Sequence, residues 1–248
     1  MRIYANGYDL SGYSRSIGPL SWEYEQAEDR VLTSAVKGVL NDVASMTPGT
    51  LNGVFDNTAT SGLHVVTNTA GTQRTLMIPI GDLAVPAAGD PVFMGVFQQV
   101  SYMTSPSSSG ETLSATLDFG DSYQPTRLNY DKPWGLLLHA SGEETAANST
   151  TGEGIDNDAA SSAGGYLMYQ IFSVTGEGTV TVSIDDSADD SSYSALSGAT
   201  SVAIAHGSVP AAGVVQLGTD ATVKQYLRWQ IAFDTITACT FALAFVRG

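Results

Sequence analysis

Catalysis needs groups that ionise, attack or coordinate, and this chain offers few of them in useful spacings. Its three histidines, His64, His139 and His206, stand far apart. None falls in an H-x-x-x-H type of metal-ligand spacing or pairs with a second cysteine. The single cysteine, Cys239, lies inside the apolar run from Ile231 to Val246, where a thiol packs as a small hydrophobe and lacks the electropositive niche a nucleophile needs. No G-x-S-x-G elbow occurs. Gly176-Glu177-Gly178 places an acid where a phosphate would lie and has no lysine after it, so it reads as a hairpin turn between strands. The chain is therefore read as non-enzymatic, with no catalytic residue, no cofactor and no metal.

The acids and tryptophans leave more open. Asp185-Asp186-Ser187-Ala188-Asp189-Asp190 follows a strand-like run and Asp156-Asn157-Asp158 precedes another. Oxygen-rich loops can hold calcium, but the EF-hand order and its closing glutamate are missing, and a solvated acidic turn is the expectation. No two of these carboxylates can be singled out as a glycosidase pair, because the separation that matters is spatial. Trp22, Trp134 and Trp229 each sit in or beside a β-prone run. Packing in a core or an interface is expected of them, with stacking on sugars or bases as the alternative.

Elements that position such groups are read from periodicity and breakers. Asn6-Gly7 marks a tight turn in an opening hairpin between Ile3 and Ile17. Val31 to Leu40 is the one stretch whose apolar spacing approaches a helical face, and it is read as a short helix or irregular loop. Strands are expected at Thr50–Phe55, Gly62–Val66, Gln73–Ile80, Pro91–Tyr102 and Thr112–Phe119, with Ser105 to Gly110 as a hairpin tip. A boundary near Gln124-Pro125-Thr126 divides the chain into 1–125 and 126–248. After Tyr130 to Gly135 opens the second part, the polar stretch from Ser141 to Gly165 is read as an exposed loop. Four more strands follow, Tyr166–Phe172, Gly178–Ile184, Gln225–Phe233 and Cys239–Arg247, the last two joined by a turn around Asp234 to Thr237. Short strands at this spacing indicate an all-β sandwich or barrel.

Bulk composition narrows the function. The net charge is −15, with only ten lysines and arginines in 248 residues, which argues against tight nucleic-acid binding, since phosphate contact is made by those residues. An acidic wall would still let a polyanion slide past without sticking. Charged residues are 14% of the chain, against an ordinary share of about 25%, as suits surfaces that become covered. No apolar h-region opens the chain and no run of about eighteen uncharged apolar residues occurs, so no membrane anchor is expected, and synthesis in the cytoplasm is.

The order of elements in the N-terminal half resembles the tail-tube (major tail) proteins of long-tailed, non-contractile bacteriophages. The residues that carry the resemblance are the hairpin around Asp9-Leu10-Ser11-Gly12, the aromatic-acidic strand Trp22 to Glu25, the section Asp29 to Asp42, the strand Thr50 to Phe55 with Asp56, and a paired set ending near Phe119. Val180 to Ser187 and Gln225 to Arg228 resemble elements of an additional sandwich domain found in some such subunits. The resemblance implies a β-sandwich with a short helix and long hairpin over 1–125 and a second β-sandwich over 126–248. It further implies homo-oligomeric rings, trimeric or hexameric and stacked, within a virion tail assembled in the host cytoplasm. Other phage tail proteins would be partners, and DNA would pass at ejection without specific binding.

On physical grounds, strands Pro91–Tyr102 and Thr112–Phe119 form a candidate long hairpin. Phe93, Val96, Phe97, Val100, Tyr102, Leu113, Leu117 and Phe119 are its candidate assembly surface, from which Phe97→Asp should leave a soluble folded monomer. The alternative is a capsid-decorating or receptor- or carbohydrate-binding β-sandwich of a virion, with Trp134 or Trp229 and the acidic loops as its site.

Overall fold

A computed structural model describes residues 1–29, 38–58, 60–81, 85–105, 113–122, 132–145 and 149–248. The opening hairpin joins β1 (Tyr4–Ala5) and β2 (Tyr8–Asp9) through Asn6 and Gly7, whose φ angles of 51° and 84° suit the asparagine-glycine pair of a tight turn. Next come β3 (Ser14–Gly18), β4 (Ser21–Asp29), β5 (Gly38–Thr47) and β6 (Thr50–Val54). Of these, β3 pairs with β6, whereas β4 and β5 pair with each other in a two-stranded sheet of their own. Gly38 to Leu40 therefore open a strand; Val31 to Lys37, the rest of the expected helix or loop, lie outside the described residues.

The expected strand Gly62–Val66 is instead the helix α1 (Leu63–Thr67). Its β-branched residues suggest a strand, but Leu63 and Thr67, one helical turn apart, are both buried, and the Thr67 hydroxyl donates to the Leu63 carbonyl at 2.5 Å. After it run β7 (Gln73–Pro79), β8 (Pro91–Gln99), β9 (Met103–Ser105) and β10 (Ser114–Ser122). Of the expected hairpin tip Ser105 to Gly110, Ser105 ends β9, while residues 106–110 and the boundary at Gln124-Pro125-Thr126 lie outside the described residues.

The second half contains β11 (Trp134–Thr145), β12 (Ser149–Thr151), β13 (Ile155–Asp156), β14 (Gly165–Ser187), β15 (Ser194–Thr200), β16 (Ile204–Ala205), β17 (Ala211–Gln216) and β18 (Tyr226–Arg247). The polar stretch expected as a loop is thus partly sheet, because the end of β11, then β12 and β13, all bond to β18. Serine and threonine at a sheet edge satisfy the ladder with backbone groups alone, so their polarity hides the pairing.

Four strands expected after Gly165 are in fact two. β14 and β18 pair from Gly165 opposite Arg247 to Ser187 opposite Tyr226, with register shifts where Gly176 to Gly178 meet Asp234 to Ile236. Gly176, Gly178 and Thr235 all have positive φ there. Turn-like residues on both strands face each other and bend one continuous ribbon, as paired bulges do.

The fold is all-β and sandwich-like, a 16-stranded sheet whose main path runs β15-β14-β18-β11-β8-β10-β6-β3. One core, within residues 3–119, includes Ile3, Leu51, Leu76, Phe93, Phe97 and Leu117. A second, within residues 138–245, includes Leu167, Ile171, Ile184, Trp229, Phe241 and Phe245. A third joins Tyr4, Met77, Val92 and Met94 to Leu137, Tyr166, Met168, Ala242, Ala244 and Val246. Strand alternation explains the arrangement: Leu76 and Ile78 face the first core and Met77 the third, while Phe241, Leu243 and Phe245 face the second and Ala242 and Ala244 the third. Leu76 to Ile78 of β7 and Phe241 to Val246 of β18 are buried on both faces, and each of these segments reads as a continuous apolar run.

Candidate functional site

The candidate assembly residues are divided by the fold. Phe93, Phe97, Leu117, Val96 and Phe119 lie in the chain's own interior, and Phe93 stacks on Phe97 with ring centroids 5.7 Å apart. β8 and β10 meet only near Phe119–Gln99 and Ser122–Phe97, so they are neighbouring strands of a packed sheet and not a projecting hairpin. Tyr102 is half-buried, its hydroxyl 2.8 Å from His64 Nδ1. Val100 and Leu113 remain exposed.

A separate antiparallel ribbon does exist, made of β4 and β5. Trp22 and Tyr24 are exposed on β4 with ring centroids 5.9 Å apart. Its base is fixed by Met46, buried in the first core, and by Thr47, whose hydroxyl donates to the Phe119 carbonyl at 3.1 Å. No sequence signal separated this ribbon from its neighbours, since the aromatic-acidic pattern of β4 fits any edge strand.

The acidic run after β14 is occupied by internal partners. Asp185 accepts from Arg228 Nη2 at 2.8 Å and from the Gln230 amide; Asp186 accepts from Lys224 Nζ at 3.0 Å and the Lys224 backbone N–H at 3.1 Å. Both carboxylates are buried. Asp189 takes the N–H groups of Ser191 and Ser192 and the Ser187 hydroxyl, which hold its carboxyl well below the usual range. Asp156 accepts from the Asp158 N–H and the Gln225 amide. Among the described residues, no three His, Cys, Asp or Glu side chains converge on a point where a metal could sit.

Chemistry-bearing side chains do converge around His139. Its ring is buried, stacked on Phe241 at 4.0 Å and 3° and set edge-on to Trp229 at 4.5 Å. Nδ1 lies 3.1 Å from the Phe241 carbonyl oxygen and Nε2 3.1 Å from Glu144 Oε1. Burial lowers the histidine's pKa, while Glu144 and the Phe241 carbonyl oppose that shift. A cleft of ≈ 510 Å³ opens beside this group, bounded by Trp229, His139, Glu144 and the segment Thr151 to Ile155, which includes Glu153. Gly152 donates its N–H to the Trp229 carbonyl at 3.0 Å, and a side chain at Gly152 would collide with the indole.

Sequence reasoning missed this group. His139 and Glu144 stand an odd number of residues apart, so a regular strand would put them on opposite faces. One extra residue in β11, between His139 and Gly142, brings them to the same side: the five steps from His139 to Glu144 face four steps of β18, from Leu243 to Cys239. The other tryptophans do not join the cleft: Trp134 packs edge-on to Phe93 at 5.3 Å and stays partly exposed. His206 lies 3.1 Å from Glu177 at the bend of the ribbon. Cys239 is buried in the second core, and desolvation pushes its thiol up to about 12.

No described helix is long and apolar enough to cross a membrane. No protein-family model matches the chain, and no curated protein matches it. Among solved structures, it is similar to the crystal structure of the SPP1 Dit (gp 19.1) protein, titled a paradigm of the hub adsorption apparatus in Gram-positive infecting phages. The identity is 8% and the TM-score 0.31, over 98% of this chain and 97% of that one. A likeness to infectious bursal disease virus, Gx strain, has 10% identity and a TM-score of 0.28, over 100% of this chain and 68% of that one.

Proposed function

We propose that this chain is a non-enzymatic structural protein of a phage virion, a tail-tube subunit that self-assembles into stacked rings through which DNA passes. The observation that carries the reading is the β4–β5 ribbon, a two-stranded sheet of its own with Trp22 and Tyr24 exposed. A lone two-stranded ribbon is marginal in water and gains stability when another surface covers it. Among the described residues the main sheet path also ends in the strands β3 and β15, and edge strands suit subunits that complete one another's ladders.

The test is negative-stain electron microscopy with light scattering over a concentration series of the whole protein and of Trp22→Asp. Rings or tubes for the parent, and a folded smaller species for the variant, are expected. A parent that stays monomeric at every concentration overturns the reading.

A second reading, a carbohydrate-binding module of a virion, is favoured by the Trp229 cleft, which sets an aromatic wall beside two carboxylates. Titration of the protein with soluble oligosaccharides, followed by indole N–H chemical shifts, decides it; shifts confined to Trp229 are expected, and none removes the reading.

A further inference from the structure

Both ring nitrogens of His139 face oxygen atoms that only accept: the Phe241 carbonyl at Nδ1 and the Glu144 carboxylate at Nε2, each at 3.1 Å. A neutral imidazole has one N–H and can satisfy one of them; the imidazolium has two and satisfies both. The two acceptors differ in freedom. The carbonyl belongs to β18 inside the second core, whereas the Glu144 side chain is 31% exposed near the end of β11 and can turn to water. We infer that His139 is a proton-operated latch on the terminal arm of β11. Protonated, it donates to both oxygens and draws Glu144 against the cleft wall; neutral, it keeps its proton on Nδ1 for the buried carbonyl and releases Glu144.

The charged surroundings are few. Glu144 from β11 and Glu153 from the segment between β12 and β13 line the cleft with His139; Phe241 and Trp229 of β18, Leu138 of β11 and Ala88 carry no charge. Among the charged groups of the described residues, only Glu144 is within hydrogen-bonding distance of the ring. A carboxylate so placed favours the imidazolium, and desolvation opposes it. The latch therefore switches where these two balance, and it acts whether or not the cleft takes a ligand and whether or not the chain assembles.

Nitrogen-15 NMR of the His139 ring, followed between about pH 5 and pH 8, tests the latch because imidazole protonation and tautomer are read directly. The expected course runs from both nitrogens protonated in acid to the Nδ1–H tautomer in base, with slower amide exchange over Gly142 to Thr145 on the acid side. Glu144→Gln should lower the midpoint, and Glu153→Gln should move it much less. Equal shifts in the two variants would mean a general acidic field and overturn the latch. So would an unchanged midpoint in Glu144→Gln, a ring that never gains its second proton, or arm exchange indifferent to the transition.

Discussion

At the scale of single residues, burial decides what each side chain can do. His139 is held below its ordinary pKa chiefly by desolvation. The folded state then binds fewer protons than the unfolded chain between the two pKa values, so unfolding takes up a proton in that window. The contribution of His139 is fully present above the unfolded value of about 6.5 and is lost as pH falls towards the folded value, at ~1.4 kcal/mol per unit of displacement. Acid thus tightens the Glu144 contact while lowering global stability, because the new cation is buried. In urea melts, the stability advantage of the parent over His139→Gln should shrink between about pH 7.5 and pH 5. An advantage constant across that range would contradict the assignment. Phe97 follows the same logic: it is fully buried in the first core, so Phe97→Ala should cost about 3–5 kcal/mol in the same melts. Phe97→Asp should fail to fold instead of giving the soluble monomer expected of a surface position. A folded, stable Phe97→Asp protein would show that the ring is not in the core.

At the scale of elements, small polar contacts tie strands that are remote in sequence. Gln170 of β14 is buried; its Oε1 accepts the Gly7 N–H at 2.6 Å and its amide donates to the Thr75 carbonyl at 2.9 Å. One side chain therefore clamps the opening turn and β7 onto the second half. Gly7 itself has φ of 84°, and a side chain there would strike the Ala211 backbone, so the turn's asparagine-glycine sequence serves close packing as well as chain reversal. Gln170→Leu keeps the bulk and removes both bonds, stranding the Gly7 N–H. A loss of about 1–3 kcal/mol is expected from equilibrium denaturation, and a change within about 0.5 kcal/mol, ordinary for an inconsequential site, would leave the clamp without effect.

At the scale of the whole molecule, the third core is shared by strands from both halves, and β8 pairs directly with β11. Neither half can unfold without exposing Met77, Val92 and Met94 or Tyr166, Met168 and Val246. A single cooperative transition is expected by calorimetry, with calorimetric and van't Hoff enthalpies in agreement. Two resolved transitions would mean that the shared core couples the halves too weakly to matter.

Patterns of hydrophobicity and turn chemistry were enough to establish the all-β class, the Asn6-Gly7 hairpin, the strands β7 and β8 and the burial of Cys239, because each depends on neighbours within a few residues. What only the tertiary structure decided are the features set by pairing partners. Gly176 to Gly178 and Asp234 to Ile236 carry the same residues whether they reverse the chain or bend it, and only their mutual pairing makes one ribbon of β14 and β18. Phe93, Phe97 and Leu117 are equally apolar on an outer face or an inner one, and the layers packed on them put them inside. His139 and Glu144 meet because β11 carries one extra residue between them relative to β18, and a register shift belongs to two strands at once. Local propensity is written residue by residue; register and facing are properties of pairs far apart in the chain, and those pairs make the cleft, the latch and the two-stranded ribbon.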